Sequence, residues 1–510
     1  MSRTKSSLLN LLTAMIGQGL GVIISFIARI FFIKILGSEY LGLNGLFTNI
    51  LTVLSLAELG VGTAITYSLY KPLADNDIRT CKMLMQLYKK VYTIIGIIIL
   101  LIGTLITPLL PMLIKDMPNI PNIYLIYILF VINTAISYFF SYKRNLIIAD
   151  QNRYIATIYR YSFYFILNVA QIIYLILKND YIGFLVLQII SSFFENIFIS
   201  KKADKMYPFL KEKEIVPLEE KAKKEIIKNT KAMMMHKIGG TVVSSTDNIL
   251  LSSFVSIVSV GIYSNYSLII TALNTICSQI YNSLTASIGN LWVKENREKN
   301  FEIFKKINFF TFWIYCIICI CLICLFNPFI ELWVGKEYLF TMDIIIILVI
   351  NFYLTGMRKS SLVFREATGL FYKDRYKAVL EAIINLVASI ILAKHLGVFG
   401  VFLGTFISSI TTCVWIEPYV LYKYGFEKNI CSYFKDYFKK TTLAIILVCF
   451  TYYICSFITG SIYLVFIIKL LISLLVPNIV LIIIYRKTDE FKYFYNKLFI
   501  KLFNKLKHTN

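Results

Sequence analysis

Between Leu8 and Tyr70 the chain runs almost unbroken in apolar residues, yet it carries Gln18, Arg29 and Glu58 inside that run. About 20 apolar residues span a bilayer, so the stretch holds two membrane helices, with Gly37-Ser38-Glu39-Tyr40 as the tight turn between them. A charge placed in such a helix costs roughly 2.5–3.5 kcal/mol on insertion and normally faces a bundle interior or a watery cavity. Two of them within the first 60 residues predict a helical membrane bundle with a polar interior.

The rest of the chain extends this reading. Of its 510 residues 58% are hydrophobic and 16% charged, too apolar a mixture for a soluble protein of this length. The net charge of +23 would fit a nucleic-acid binder only if a soluble domain carried it, and none is evident, so no nucleic acid is expected as a partner. Most Lys and Arg instead fall in alternate inter-helix segments and at the termini, which is the positive-inside pattern. The run after Met1-Ser2-Arg3-Thr4-Lys5 is too long for a signal-peptide core, so no cleavable signal is expected. Lys outnumbers Arg, and Ile, Asn and Tyr are abundant, which points to an AT-rich bacterial genome and hence to the bacterial cytoplasmic membrane.

Fourteen helices are expected, near 9–36, 41–67, 88–111, 122–142, 154–177, 181–200, 233–256, 260–288, 307–326, 338–357, 377–394, 399–422, 441–458 and 462–485. The fold class is all-α: an N-terminal lobe of six helices (1–200), a basic cytoplasmic linker (201–232), a second six-helix lobe (233–424) and two further helices (425–485). Residues 486–510 form a basic tail in which Phe491, Phe494, Leu498, Leu502 and Leu506 recur at helical spacing, as in a helix lying on the membrane surface. An even helix count with the Lys/Arg bias places both termini in the cytoplasm. Reporter fusions after Tyr70, Lys205, Lys294 and Lys428 should therefore report cytoplasm, and fusions near Lys115, Asn179 and Gly335 the outside. A cytoplasmic signal at Lys115 would break the helix count in the first lobe.

Shifted by 219 residues, the first helix pair falls on helices seven and eight. Leu41-Gly42-Leu43 lands on Val260-Gly261-Ile262, Gln18 on Lys237, and Arg29 on Asn248 beside Asp247. Parallel repeats of this kind relate two halves of a transporter, with the substrate handled between them. Residues eleven apart share a helix face, since 3.6 residues make a turn. Gln18, Ser25 and Arg29 thus form one stripe, and Lys237, Ser244 and Asn248 form its counterpart. On helix two Asn44, Thr48, Thr52, Ser55 and Glu58 make a third, and helix eight adds Asn274, Gln279 and Asn282. The candidate substrate-binding set is Gln18, Arg29, Asn44, Glu58, Lys237, Asp247, Asn248 and Asn274. Arg29 with Asp247, and Glu58 with Lys237, are expected as opposite-sign pairs at two depths. No catalytic residue and no metal site is expected. Cys316, Cys319, Cys321 and Cys324 lie on one apolar helix without nearby His or acidic residues, as buried small hydrophobes do.

Gly17-Gln18-Gly19 leading to Arg29, then Leu41-Gly42-Leu43-Asn44-Gly45-Leu46, then Glu58-Leu59-Gly60-Val61-Gly62-Thr63-Ala64, resemble the polysaccharide transporters. These are the oligosaccharide-repeat-unit flippases of the multidrug/oligosaccharidyl-lipid/polysaccharide (MOP) exporter superfamily. The resemblance implies movement of undecaprenyl-diphosphate-linked sugar units to the outer leaflet, by two lobes alternating around a cationic cavity. It also implies that helices thirteen and fourteen make a groove for the lipid tail. Membrane lipids and the polysaccharide polymerase machinery are the expected partners. No cofactor is expected, and the choice between Na+ and H+ coupling stays open. The chain departs from the more cationic members, because only Arg29, Lys237 and Lys469 read as basic residues within the membrane.

The alternatives are a lipid II flippase and a cation-coupled multidrug antiporter of the same superfamily. An enzyme reading rests on Asp75-Asn76-Asp77, a triplet that nucleotide-sugar transferases use on a metal. Such enzymes need a soluble domain, so a solvated turn is expected there, and the chain reads as a transporter rather than an enzyme. His236 is read as a polar residue near the inner end of helix seven.

Overall fold

Glycines decide where the long apolar runs bend. In a computed structural model of the chain, residues 3–58, 60–212, 227, 230, 241, 245–370, 373–374 and 376–496 are described, and among them all regular structure is helical. Helix α1 (Arg3–Leu54) comprises two arms joined at Gly37, whose φ of +85° a residue with a side chain rarely adopts. The second arm closes in one 3-10 turn, Ser55–Glu58, and Gly60 then takes a left-handed conformation before α2 (Val61–Ala74). The single helix expected over 41–67 is therefore broken just after Glu58. At Gly62 any side chain would overlap the Tyr92 hydroxyl and the Glu58 carboxylate, so the break and the polar group it carries are built together.

Asp75 and Asp77 bracket the next turn. Asp75 ends α2 and Asn76 is left-handed. Asp77 caps α3 (Ile78–Ile106) by accepting from the Thr80 amide at 3.0 Å and the Thr80 hydroxyl at 2.6 Å. Those bonds hold the Asp77 carboxyl below its usual range. The triplet is a turn and a helix cap. Helices α4 (Ile123–Ala149), α5 (Arg153–Lys178) and α6 (Tyr181–Met206) follow, the last capped by Asp180, which accepts from the amides of Ile182 and Gly183.

The chain continues as α7 (Ile257–Lys294), α8 (Arg297–Trp333), α9 (Met342–Met357) and α10 (Lys359–Ala367). Helix α11 (Lys377–Ser408) turns at Gly397, φ +57°, and α12 (Val414–Val420) lies between two π-helical stretches. Helices α13 (Ile430–Ser456), α14 (Ile462–Tyr485) and α15 (Asp489–Tyr495) complete the described chain. Among the described residues ten helical runs are long and apolar enough to cross a membrane, and two of these, Leu12–Glu58 and Lys377–Phe426, are each folded at a glycine into two arms. Helix α9 adds a shorter apolar run of 16 residues. The expected fourteen-helix, multi-pass architecture is thus recovered, with helix seven (233–256) mostly outside the described residues.

The chain divides into two compact units, Met1–Ser264 and Asn265–Asn510. The first is cored by Tyr88, Leu84, Ile95 and Ile99 of α3 packed against Ile65 of α2, Ala135 and Leu146 of α4 and Ile199 of α6. The start of α7 belongs to this unit because its backbone lies directly on α1. A side chain at Gly42 would overlap the Ile257 carbonyl, and one at Gly261 would overlap the Ser38 carbonyl. Gly42 and Gly261 are a pair of glycines that the internal repeat superimposes, and both are required by this close crossing. The second unit is organised around α8, whose most apolar window is two-thirds buried, with Phe304, Phe312, Tyr315 and Phe326 fully enclosed.

The cysteines at 316, 319 and 324 are buried on α8. The described start of the tail packs on that same helix, with Phe491 stacked on Trp313 and Phe494 on Phe310 at centroid distances of 5.7 and 4.9 Å. The remainder of the tail, most of the 201–232 linker, and His236 lie outside the described residues.

Candidate functional site

In the first unit, α1 presents its polar stripe from an otherwise apolar arm. Ser25 bonds the Gly21 carbonyl at 2.7 Å and the Tyr164 hydroxyl of α5 at 2.6 Å. One turn on, Arg29 donates from Nη1 to the Ser264 hydroxyl of α7 at 2.8 Å. Gln18, Asn44, Asp247 and Asn248 are half-buried in the same unit. Asn248 faces Gly45 of α1, with its amide nitrogen 3.6 Å from where a Cβ at Gly45 would stand, and its Oδ1 is buried without a hydrogen-bond donor among the described residues. The structure thus brings Arg29 and Asn248 onto the crossing of α1 with the repeat-related segment. The expected partner of Glu58, Lys237, lies outside the described residues.

Glu58 belongs to a separate polar cluster. Tyr92 of α3 donates to its Oε1 at 2.6 Å. Tyr88 donates to the Gly62 carbonyl at 3.0 Å and accepts from Asn145 of α4 at 2.6 Å, with Thr66 3.2 Å away. Phenols, an amide and a hydroxyl are what a carboxylate in an apolar bundle needs around it. This cluster ties the α1–α2 break to α3 and α4. Nothing in the spacing of Tyr88, Tyr92 and Asn145 announced it, since each reads alone as a lone polar residue in a core helix.

The second unit holds two contrasting sets of charges. At the junction of α9 and α10, with α11 and α12 packed around it, Glu417 is fully buried and accepts from Arg358 Nε at 2.9 Å and Nη2 at 2.8 Å, and from Lys377. Arg365 pairs with Asp374, and Arg358 also lies 3.6 Å from Glu381. Three cations thus meet three carboxylates. The first unit has a simpler counterpart between α4 and α6, where Arg144 meets Glu195 at 2.5 Å and Lys143 meets Asp204 at 2.8 Å.

Lys359, the next residue after Arg358, turns the other way. Its Nζ lies 3.4 Å from the Ser278 hydroxyl of α7, and among the described residues no carboxylate is within ion-pair distance. Asn274 stands one turn from Ser278, half-buried, its Oδ1 enclosed without a donor among the described residues. Asn274, Ser278 and Asn282 follow at intervals of four and share a face. Sequence reading found Asn274 and Asn282 but missed Lys359, which beside Arg358 passes for the charged cap of an apolar helix. A cation, an amide acceptor and a hydroxyl on one side of a membrane helix can hold an anionic, hydroxyl-bearing group.

No protein-family model matches this sequence, and no curated protein does either. Solved structures do match along nearly the whole chain. A lipid II flippase, MurJ, in an inward closed conformation aligns with a TM-score of 0.66 at 17% identity, over 93% of this chain and 99% of that one. An inward-facing multidrug-resistance MATE transporter of the MOP superfamily gives 0.62 at 14% identity, over 78% and 94%. The Vibrio cholerae MATE transporter VcmN, in a mutant form, gives 0.57 at 17%, over 84% and 99%. These neighbours are transporters and flippases rather than enzymes, and the chain has the fold they share.

Proposed function

We propose that this protein is a flippase that moves an undecaprenyl-diphosphate-linked oligosaccharide from the inner to the outer leaflet of the bacterial cytoplasmic membrane, by alternating access. The observation that carries the reading is Lys359, a half-buried cation set against Ser278 with, among the described residues, no carboxylate within ion-pair distance. A diphosphate with its sugars cannot enter hydrocarbon unaided, because its polar groups would lose water without replacement. A cation without a fixed counter-charge supplies the charge-assisted hydrogen bonds that replace that water. Arg29, bonded to a serine hydroxyl, offers a planar fork suited to phosphate oxygens in the other unit. Cation-coupled drug export would instead call for acidic groups, and Lys359 argues against a cationic cargo at its side of the second unit. Both termini are assigned to the cytoplasm by the distribution of Lys and Arg.

A second reading, lipid II as the cargo, draws on the likeness to MurJ. Deletion of the gene decides between them. Accumulation of lipid-linked oligosaccharide on the cytoplasmic face, with loss of surface polymer and intact growth, is the expected result. Accumulation of lipid II with lysis would transfer the assignment to peptidoglycan. Normal polymer together with sensitivity to cationic dyes would overturn the flippase reading in favour of drug export.

A further inference from the structure

Where α7 ends and α8 begins, the second unit carries a cavity of about 230 Å³. Trp292 and Tyr424 line it with Leu370, and Glu295, Asn300 and Thr368 bring polar groups. Asn300 is the telling residue. It is only 2% exposed, and its amide nitrogen donates to the carbonyls of Glu295 and Asn296, each at 3.1 Å. Two carbonyl acceptors on one side settle which end of the amide is nitrogen. The other end, Oδ1, is buried with no donor among the described residues. A buried acceptor in a native fold calls for a partner, and Asn300 is one of the residues that line the cavity.

The cations around the cavity are directed to carboxylates and to an aromatic ring. Arg297, which also lines it, pairs with Glu427, and Lys428 meets Glu298 at 2.6 Å. Lys373 and Lys423 lie over the Tyr424 ring at 5.0 and 5.4 Å. Arg297 and Lys428 are thus already paired with carboxylates, while the unmet need at Asn300 is for a hydrogen-bond donor. Aromatic walls, a buried amide acceptor and the Thr368 and Glu295 side chains together suit a neutral ring with an apolar face and a polar rim.

We infer that this cavity is a carbohydrate-binding site for one pyranose unit, seated against Trp292 and Tyr424 with a sugar hydroxyl or amide N–H donating to Asn300 Oδ1. Its use rests on the flippase reading: the α7–α8 turn is assigned to the cytoplasm, so the site would hold the oligosaccharide head on the side where cargo is loaded. It is separate from Lys359 and Asn274, and it recognises sugar rather than diphosphate.

The test is calorimetric titration of the full-length protein in lipid nanodiscs with N,N′-diacetylchitobiose and with lactose. At least one should bind saturably, and Tyr424→Ala and Asn300→Leu should each weaken it about tenfold. Asn300 also ties its own helix start, so Tyr424→Ala, at an exposed side chain, decides the matter if Asn300→Leu fails to fold. Absence of saturable binding for both sugars, or unchanged affinity in Tyr424→Ala, overturns the site and leaves a buried water as the partner of Asn300. The flippase reading fails separately, if the deletion strain still delivers lipid-linked oligosaccharide to the outer leaflet while the purified protein binds sugar through Tyr424.

Discussion

Glu417→Gln is expected to leave little folded protein, with a loss of about 3–5 kcal/mol, the cost of breaking a buried ion pair from one side. Glu417 is fully enclosed and takes hydrogen bonds from Arg358 and Lys377, with Arg365 also within 3.9 Å. The amide keeps the shape but removes the charge, so two buried cations lose their main counter-ion together. Glu381, at 3.6 Å from Arg358, and Asp374, already paired with Arg365, cannot replace it. Pro418 follows in the chain and lacks an N–H, and π-helical stretches lie on both sides. The helix there is already irregular and depends on its side-chain bonds. Glu381→Gln, which removes only the longer contact, should cost much less. Thermal unfolding of detergent-solubilised variants, followed by size-exclusion chromatography, would read both. A Glu417→Gln protein as stable as the unsubstituted chain would mean that the cluster contributes nothing to folding.

That cluster also shows what could be foreseen from the chain alone. The first helix pair was legible because Arg29 and Glu58 interrupt long apolar runs, and a charge against that background is conspicuous. Gly37 was legible as a turn, and the repeat paired Gly42 with Gly261, but that their backbones cross too closely for a side chain at either shows only in the packing. Glu417 lay inside a run already assigned to helix twelve, but its partners are 59 and 40 residues away, and only tertiary packing brings Arg358 and Lys377 to it. Arg358 and Lys359 are neighbours in sequence, so residue type alone made them one feature. Their different directions, one into a neutralised cluster and the other toward Ser278, follow from a helical rotation of about 100° per residue. The break after Glu58 had its glycines in plain view, but the tyrosines and the amide of Asn145 that stabilise it come from helices whose sequences show no pattern marking them.

Arg29→Ala and Lys359→Gln should each slow flipping of lipid-linked oligosaccharide by about 10–100-fold while leaving membrane insertion intact, the range expected when a charge-assisted hydrogen bond to the cargo is lost. Arg29 lies eight residues before the elbow at Gly37, so it stands about 12 Å along the helix from that end. Its Nη1 donates to the neutral Ser264 hydroxyl, an acceptor that a phosphate oxygen can replace. Arg29→Lys should recover little, because an ammonium cannot reproduce the bidentate fork. Lys359→Arg should recover more, since the contact there is a single hydroxyl 3.4 Å away and the surroundings hold no paired acceptor that fixes the geometry. The two residues therefore predict opposite outcomes for the same conservative exchange. A flipping assay in proteoliposomes, with extraction of the protein from membranes as the insertion control, measures all four variants. Wild-type rates in both Arg29→Ala and Lys359→Gln would make these cations packing residues. Equal loss in Arg29→Lys and Lys359→Arg would mean that shape, and not the form of the charge, is what each position supplies.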